Sequence, residues 1–119
     1  MRTKVSIPPD LVNNKSYQNM VRNVESYLQG IAIQPAIYAE KEPSAELRLY
    51  ENGNGTPVLV IEFLESTGST VRAYYLEEIS DPVILRLRIG EMTREFLRWT
   101  SREVQHRIRE AVSQMAEEE

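Results

Sequence analysis

Apolar residues recur every three or four positions in two segments of the chain, one near its N-terminus and one at its C-terminus. In the first segment the apolar positions are Tyr17, Met20, Val21, Val24 and Leu28. This spacing places them on one face of a helix. Asn13, Asn14 and Ser16 are candidate caps at its start, and Gly30 is a candidate stop. We therefore predict a helix that ends near Gln29 and covers a sheet.

Alternation of apolar and polar residues, which is typical of strands, marks the middle of the chain. A short strand over 4–7 is ended by Pro8 and Pro9. Alternating segments at 31–37, 45–50 and 71–79, together with the apolar run 58–64, predict further strands. Glycine-containing turns are predicted at 52–55 and 66–69. Consecutive strands joined by tight turns predict an antiparallel β-meander of about four strands.

The C-terminal segment begins with a helix-start signal, because Asp81 can cap a helix and Pro82 suits its first turn. Residues 83–89 also alternate as in a strand, and we favour the helix. A break near Thr100 is plausible, since residues 100–103 fit a capping box. An unbroken helix of about 34 residues would span about 50 Å and would overhang a domain of this size.

These elements predict an α+β fold in which an N-terminal helix and a long, possibly broken C-terminal helix pack on the sheet. The length of 119 residues suits one domain over 1–116, followed by an acidic tail at 117–119. Hydrophobic residues make up 41% and charged residues 27%, which is ordinary for a globular protein. No apolar run suits a membrane helix or a signal peptide, so we expect a cytoplasmic protein without membrane contact.

Catalytic and metal-binding residues are scarce. The chain has no cysteine and one histidine, which leaves few ligands for zinc and no thiol chemistry. Nucleophilic catalysis by serine also lacks a suitable base. We therefore expect no enzyme activity, no catalytic residues, no metal and no cofactor.

Two stripes of apolar residues run along the C-terminal helix. The first, Leu85, Ile89, Met92, Phe96 and Trp99, is expected to pack on the sheet. The second consists of Leu97, Val104, Ile108, Ala111 and Met115. Either the helix bends so that both stripes cover the same sheet, or the second stripe is the seam of a homodimer. Because a monomer rarely leaves such a strip exposed, we expect a homo-oligomer.

An arginine stripe lies roughly opposite the first apolar stripe and consists of Arg94, Arg98, Arg102 and Arg109. Nearby acids predict the intrahelical pairs Glu91–Arg94, Glu95–Arg98, Glu95–Arg102 and Glu103–Arg107. A self-compensated, solvated face is the favoured interpretation, also because the chain carries a net charge of −4. The alternatives are contact with nucleic acid and contact with an acidic protein surface, since arginine binds phosphate and carboxylate in a bidentate manner.

Two acids on neighbouring predicted strands, Glu46 and Glu62, form a second cluster. The segments 45–50 and 57–64 resemble the core of restriction-endonuclease-like nucleases over about twenty residues. The resemblance implies an acid on one strand, and an acid-x-lysine on the next, around a divalent metal. Here Leu64 stands at the lysine position and the first acid is a glutamate. We therefore expect an ordinary carboxylate pair and no nuclease.

A helix packed on a curved sheet can also enclose a ligand pocket, with Tyr38, Tyr50, Tyr74 and Tyr75 as candidate lining. Taken together, the patterns favour a non-enzymatic interaction module that self-associates through its C-terminal helix. A nucleic-acid-binding or regulatory protein that uses the arginine stripe is the first alternative. A small-ligand-binding domain with a sheet-lined pocket is the second.

Overall fold

The computed structural model describes residues 1–32, 42–65 and 68–118, and at positions 100, 101, 103, 104, 107, 117 and 118 it describes the backbone alone. Within these residues the strands are β1 (Arg2–Ser6), β2 (Ser44–Glu51), β3 (Pro57–Glu65) and β4 (Gly68–Tyr75). The helices of the same part of the chain are α1 (Lys15–Gln29), α2 (Leu76–Ile79) and α3 (Pro82–Glu118). The predicted α+β class is confirmed.

The sheet has the order β1-β2-β3-β4, and it is mixed. Strand β1 runs parallel to β2, whereas β2–β3 and β3–β4 are antiparallel pairs. The prediction of a purely antiparallel meander is therefore wrong at one edge. The reason is the connection, since β1 reaches β2 through helix α1 and such a crossover allows the two strands to run the same way. The strand predicted at 31–37 falls mainly on residues outside the described part.

Strand β4 ends at Tyr75, before the predicted end at Ile79, and the short helix α2 follows it. Leu76 and Ile79 are both fully buried. Residues three apart share one face of a helix but lie on opposite faces of a strand. A single helical turn is therefore the conformation that buries both side chains in the same core.

One face of the sheet forms the core. Its buried residues are Ala45, Leu47, Leu49, Leu59, Ile61 and Phe63, and the helices cover them with Val21, Val24, Leu28, Leu76, Ile79, Leu85, Ile89, Met92 and Phe96. The opposite face is more exposed, with Tyr50 at 42%, Val71 at 41% and Tyr75 at 55% exposure. The core thus lies between one sheet face and a layer of helices.

The predicted helix starts are confirmed by their hydrogen bonds. Asn14 Oδ1 accepts from the Tyr17 backbone N–H at 3.0 Å at the start of α1. Asp81 Oδ1 accepts from the Val83 N–H at 2.9 Å, with Pro82 as the first helical residue of α3. Each bond satisfies an N–H group that the helix itself leaves without a partner. Residues 83–89 are helical, as favoured.

The β2–β3 turn is also the predicted one. Asn52 Oδ1 accepts from the backbone N–H groups of Asn54 and Thr56, both at 3.0 Å. Gly55 has φ 73°, a conformation that glycine adopts without steric cost. The segment 52–55 is therefore a tight turn, as predicted.

Helix α3 is continuous over 37 residues, so the break that the sequence made plausible near Thr100 does not occur. Beyond Gly90 the helix contains neither glycine nor proline, and threonine or serine alone costs too little to end it. A helix of this length spans about 55 Å. The whole molecule measures 64 × 26 × 23 Å, so the C-terminal turns of α3 project beyond the sheet, as an unbroken helix was expected to do.

Trp99 marks the point where α3 leaves the sheet. Its ring lies directly over Gly68 at the start of β4, where a Cβ atom would stand 2.5 Å from ring carbons. Only glycine allows so close an approach.

Candidate functional site

Helix α3 presents three faces of different chemistry, each covering roughly a third of its circumference at 100° per residue. The core face contains Leu85, Ile89, Met92 and Phe96, all buried as predicted, and Trp99, which is partly buried. Phe96 meets Phe63 of β3 edge to face, with 5.9 Å between ring centroids. This face fixes α3 to the sheet and leaves the other two faces available for contacts outside the domain.

Among the described side chains, the second apolar stripe is exposed and does not join the buried core. Leu97 is 45%, Ile108 44% and Met115 68% exposed, and Ala111 is exposed as well. The side chain of Val104 lies outside the described part. The interpretation in which both stripes cover one sheet is therefore wrong for the described residues. The physical reason for Ile108, Ala111 and Met115 is that α3 continues past Trp99 without a break, so their turns extend beyond the sheet they would have to cover.

The exposed apolar row is longer than the sequence stripe suggested. Val83 is 73% and Leu87 50% exposed, and both continue the row toward the start of α3. From Met115 backward, alternating steps of four and three residues give a row of positions that we call the seam: 115, 111, 108, 104, 101, 97, 94, 90, 87 and 83. Such a spacing is the repeat of a coiled coil. The first half of the seam was not predicted because Gly90 and Arg94 interrupt the apolar pattern, although its seven-residue repeat is present in the sequence.

A groove of about 410 Å³ runs beside the first half of the seam, between α3 and the end of α1. It is lined by Tyr27, Ile31, Arg86, Leu87, Ile89, Gly90, Thr93 and Arg94. A Cβ atom on Gly90 would meet nothing within 4 Å. The glycine therefore leaves open space on the seam and is not there to relieve crowding within the chain.

The arginine face contains the four predicted residues, Arg94, Arg98, Arg102 and Arg109, and all are exposed. Among the side chains that the structure describes, none of the four forms an ion pair. The predicted pairs of Glu91 and Glu95 with this face are wrong. Glu91 binds Arg88 at 3.4 Å and Glu95 binds Arg72 of β4. The Glu103–Arg107 pair lies outside the described side chains.

Glu91 and Glu95 pair with arginines outside the arginine face because these two acids lie on the side of α3 toward the rest of the domain. Arg72 reaches Glu95 from the neighbouring strand, and Arg88 bridges Glu91 and Glu78 of α2, the latter at 3.2 Å. Hydrogen bonds with Glu78 and with Glu91 raise the pKa of the Arg88 guanidinium. As a result, among the described side chains, Glu91 and Glu95 form no ion pairs that would neutralise the arginine face.

Three of the four candidate tyrosines share one cleft. Tyr50, Tyr74 and Tyr75 line an open cleft of about 380 Å³ together with Asn52, Val58, Ala73 and Glu78. Tyr38 lies outside the described residues. Burial raises the pKa of the Tyr74 hydroxyl, and Arg72 acts in the opposite direction. The cleft combines aromatic rings with an amide and a carboxylate, which suits a small polar ligand with an apolar part.

The two acids of the nuclease-like segments are direct partners across β2 and β3, as Glu46 pairs with Glu62 in the strand register. Arg48 Nη1 lies 3.1 Å from a carboxylate oxygen of each. The guanidinium thus provides the positive charge that a metal ion would supply between them, and Leu64 replaces the expected lysine. This arrangement is that of a salt-bridged sheet surface.

Comparison with known proteins gives no matching family model, and neither a curated protein nor a solved structure is significantly similar to this chain. In the described part of the chain, no helix combines the length and the apolar character needed to cross a membrane. The three faces of α3 and the tyrosine cleft are therefore the basis for inferring a function.

Proposed function

We propose that the protein is a non-enzymatic interaction module that self-associates through the seam of α3. The observation that carries this proposal is the position of the exposed large apolar residues of α3. Among the side chains of α3 that the structure describes, five of the six lie on the seam, namely Val83, Leu87, Leu97, Ile108 and Met115, and the sixth, Val112, flanks it. Water-exposed apolar rows with a seven-residue repeat are typical of helices that pair.

The size of the seam supports the same conclusion. A helix pair buries the seam and the positions that flank it, which over α3 amounts to about twenty residues per copy, close to the number found in standard protein interfaces. All side chains described between 102 and 116 are exposed in the single chain. Helices of this kind receive most of their stability from packing of an apolar face, so the projecting turns need a partner.

Two alanines of α3 provide a matched test. Ala111 lies on the seam and Ala116 lies on the arginine face, and both are exposed. Light scattering at micromolar concentration should give the wild type at least twice the monomer mass of 13.8 kDa. Ala111→Lys should shift the protein to monomer, because a buried unpaired charge costs several kcal/mol. Ala116→Lys should leave the mass unchanged.

Circular dichroism of both variants checks that the helix content is retained. A wild-type mass of 13.8 kDa under these conditions would refute the proposal. Equal effects of the two substitutions would place the contact elsewhere on the molecule.

Binding of nucleic acid is a second candidate, favoured by the arginine face and its lack of ion pairs among the described side chains. Replacing Arg94, Arg98 and Arg102 by alanine should then weaken binding of a labelled oligonucleotide and lower its salt dependence by about one unit per lost phosphate contact. Alanine at the exposed Arg2, Lys4 and Arg22 is the charge-matched control. Absence of wild-type affinity at physiological salt would refute this candidate function.

Binding of a small ligand is a third candidate, supported by the cleft between Tyr50 and Tyr75. A fragment library screened by nuclear magnetic resonance should then shift resonances of the cleft residues, and Tyr75→Ala should abolish those shifts. Shifts that persist in Tyr75→Ala would locate the ligand outside the cleft.

A further inference from the structure

The first half of the seam offers a docking site for the second half of the same seam in another copy. Gly90 has no side chain, so the surface of α3 is depressed at this position. The adjoining groove is lined in part by Tyr27, Ile31 and Leu87. The projecting half carries Ile108 and Met115, which are 44% and 68% exposed. Methionine adapts its shape to irregular apolar gaps. The two halves are thus complementary in shape and in chemistry.

The order of residues along the seam distinguishes the two orientations in which helices can pair. In a parallel pair in register, each residue faces its own copy, so Arg94 would face Arg94 and Gly90 would face Gly90. Two guanidinium groups brought together in a helix contact repel each other. Two facing glycines leave a gap that nothing fills. Parallel pairing in register is therefore disfavoured.

The antiparallel orientation removes both conflicts. The steps from Gly90 to Arg94 to Leu97 are four and three residues, and the steps from Met115 back to Ala111 and Ile108 are also four and three. Antiparallel pairing in this register sets Met115 on Gly90, Ala111 on Arg94, and Ile108 on Leu97. A large side chain meets a small one in the first two pairs, as close packing requires.

The same register keeps the sheets of the two copies apart. The sheet is attached to α3 as far as Trp99, and in this register Trp99 of one copy lies level with position 106 of the other. The two sheets therefore lie one after the other along the helix pair and do not overlap.

We propose that two copies of this chain pair antiparallel through α3, with the Met115 end of each seam docked in the Gly90 groove of the other. This inference rests on the proposed self-association and adds its orientation and register.

Cysteine cross-linking tests the orientation directly, because the chain has no native cysteine. Chains carrying Arg94→Cys, Ala111→Cys, Leu97→Cys or Ile108→Cys are prepared singly, and one member of each pair carries a mass tag. A mixture of Arg94→Cys and Ala111→Cys should give a cross-linked heterodimer, and so should Leu97→Cys with Ile108→Cys. Arg94→Cys and Ala111→Cys should not cross-link when each is alone.

A second variant tests the groove. Gly90→Met should raise the dimer dissociation constant about tenfold or more, because the added side chain occupies the space that Met115 of the other copy needs. The monomer should keep its fold, since a Cβ at position 90 meets nothing within 4 Å in its own chain. An unchanged dissociation constant would overturn the docking of Met115 in this groove.

Each outcome separates the two proposals. Self-linking of Arg94→Cys and of Ala111→Cys alone would overturn the antiparallel orientation while leaving self-association intact. A dimer by light scattering without any of these links would overturn the register while leaving self-association intact. A wild type that is monomeric at micromolar concentration would overturn self-association itself.

Discussion

The contact between Gly68 and Trp99 predicts a large loss of stability for Gly68→Ala. The new Cβ would stand 2.5 Å from two carbons of the Trp99 ring, so the ring has to move. Overpacking of this kind costs about 1–3 kcal/mol. Gly68 also has φ 155°, a conformation that L residues rarely adopt, and such backbone strain costs on the order of 1–3 kcal/mol. Together these costs should lower the free energy of unfolding of Gly68→Ala by about 2–6 kcal/mol.

Urea denaturation followed by circular dichroism measures this loss, at one fixed protomer concentration because association contributes to stability. Gly53→Ala is the matched control, since a Cβ there meets nothing within 4 Å, and its effect should stay within about 0.5 kcal/mol. In a Trp99→Leu background, Gly68→Ala should cost less by the overpacking part. A cost for Gly68→Ala that is the same in both backgrounds would refute the steric explanation.

Three further predictions follow from individual contacts. A double-mutant cycle of Phe63→Leu and Phe96→Leu, measured by urea denaturation, should give a coupling of about 0.5–1.5 kcal/mol because the rings meet edge to face; additive effects would contradict this. Tyr74 has a raised pKa, so its neutral form is favoured in the folded state. The contribution of neutral Tyr74 to the free energy of unfolding is fully present below the unfolded pKa of about 10 and is lost as the pH rises through the folded pKa. Denaturation curves of Tyr74→Phe across that pH range should not show this loss of stability. Magnesium or manganese should not induce cleavage of DNA or RNA, because Arg48 already bridges the paired carboxylates; cleavage that Glu62→Gln abolishes would show otherwise.

Local patterns predicted the elements that depend on neighbouring residues. The caps at Asn14 and Asp81 and the turn at 52–55 were recognised because their hydrogen bonds join residues only a few positions apart. The core face of α3 was recognised for a similar reason, since helical spacing alone brings its members together. In each of these cases the physical cause lies within one or two turns of chain.

What the sequence did not reveal depends on residues distant along the chain. The parallel pairing of β1 with β2 follows from the path of a whole connection, which no local pattern contains. Glu95 was assigned to an arginine on its own helix, yet its partner is Arg72 on a neighbouring strand. The groove at Gly90 could not be predicted because it depends on where the end of α1 lies in space. Residue spacing therefore predicted which side chains share a face of α3, whereas the surfaces that these faces form with other elements could not be predicted.

The division of α3 into three faces has a geometric consequence for an antiparallel pair. A twofold axis perpendicular to two antiparallel helices carries each flank of one helix to the same side of the pair as the matching flank of the other. The sheets of both copies would then lie on one side and both rows of arginines on the other, joined into a single cationic ridge. A polyanion laid along that ridge would meet both copies at once, and the second set of contacts would form at a high effective concentration. Self-association and anion binding would then be coupled properties of one assembly, with the affinity for the anion rising as the dimer forms.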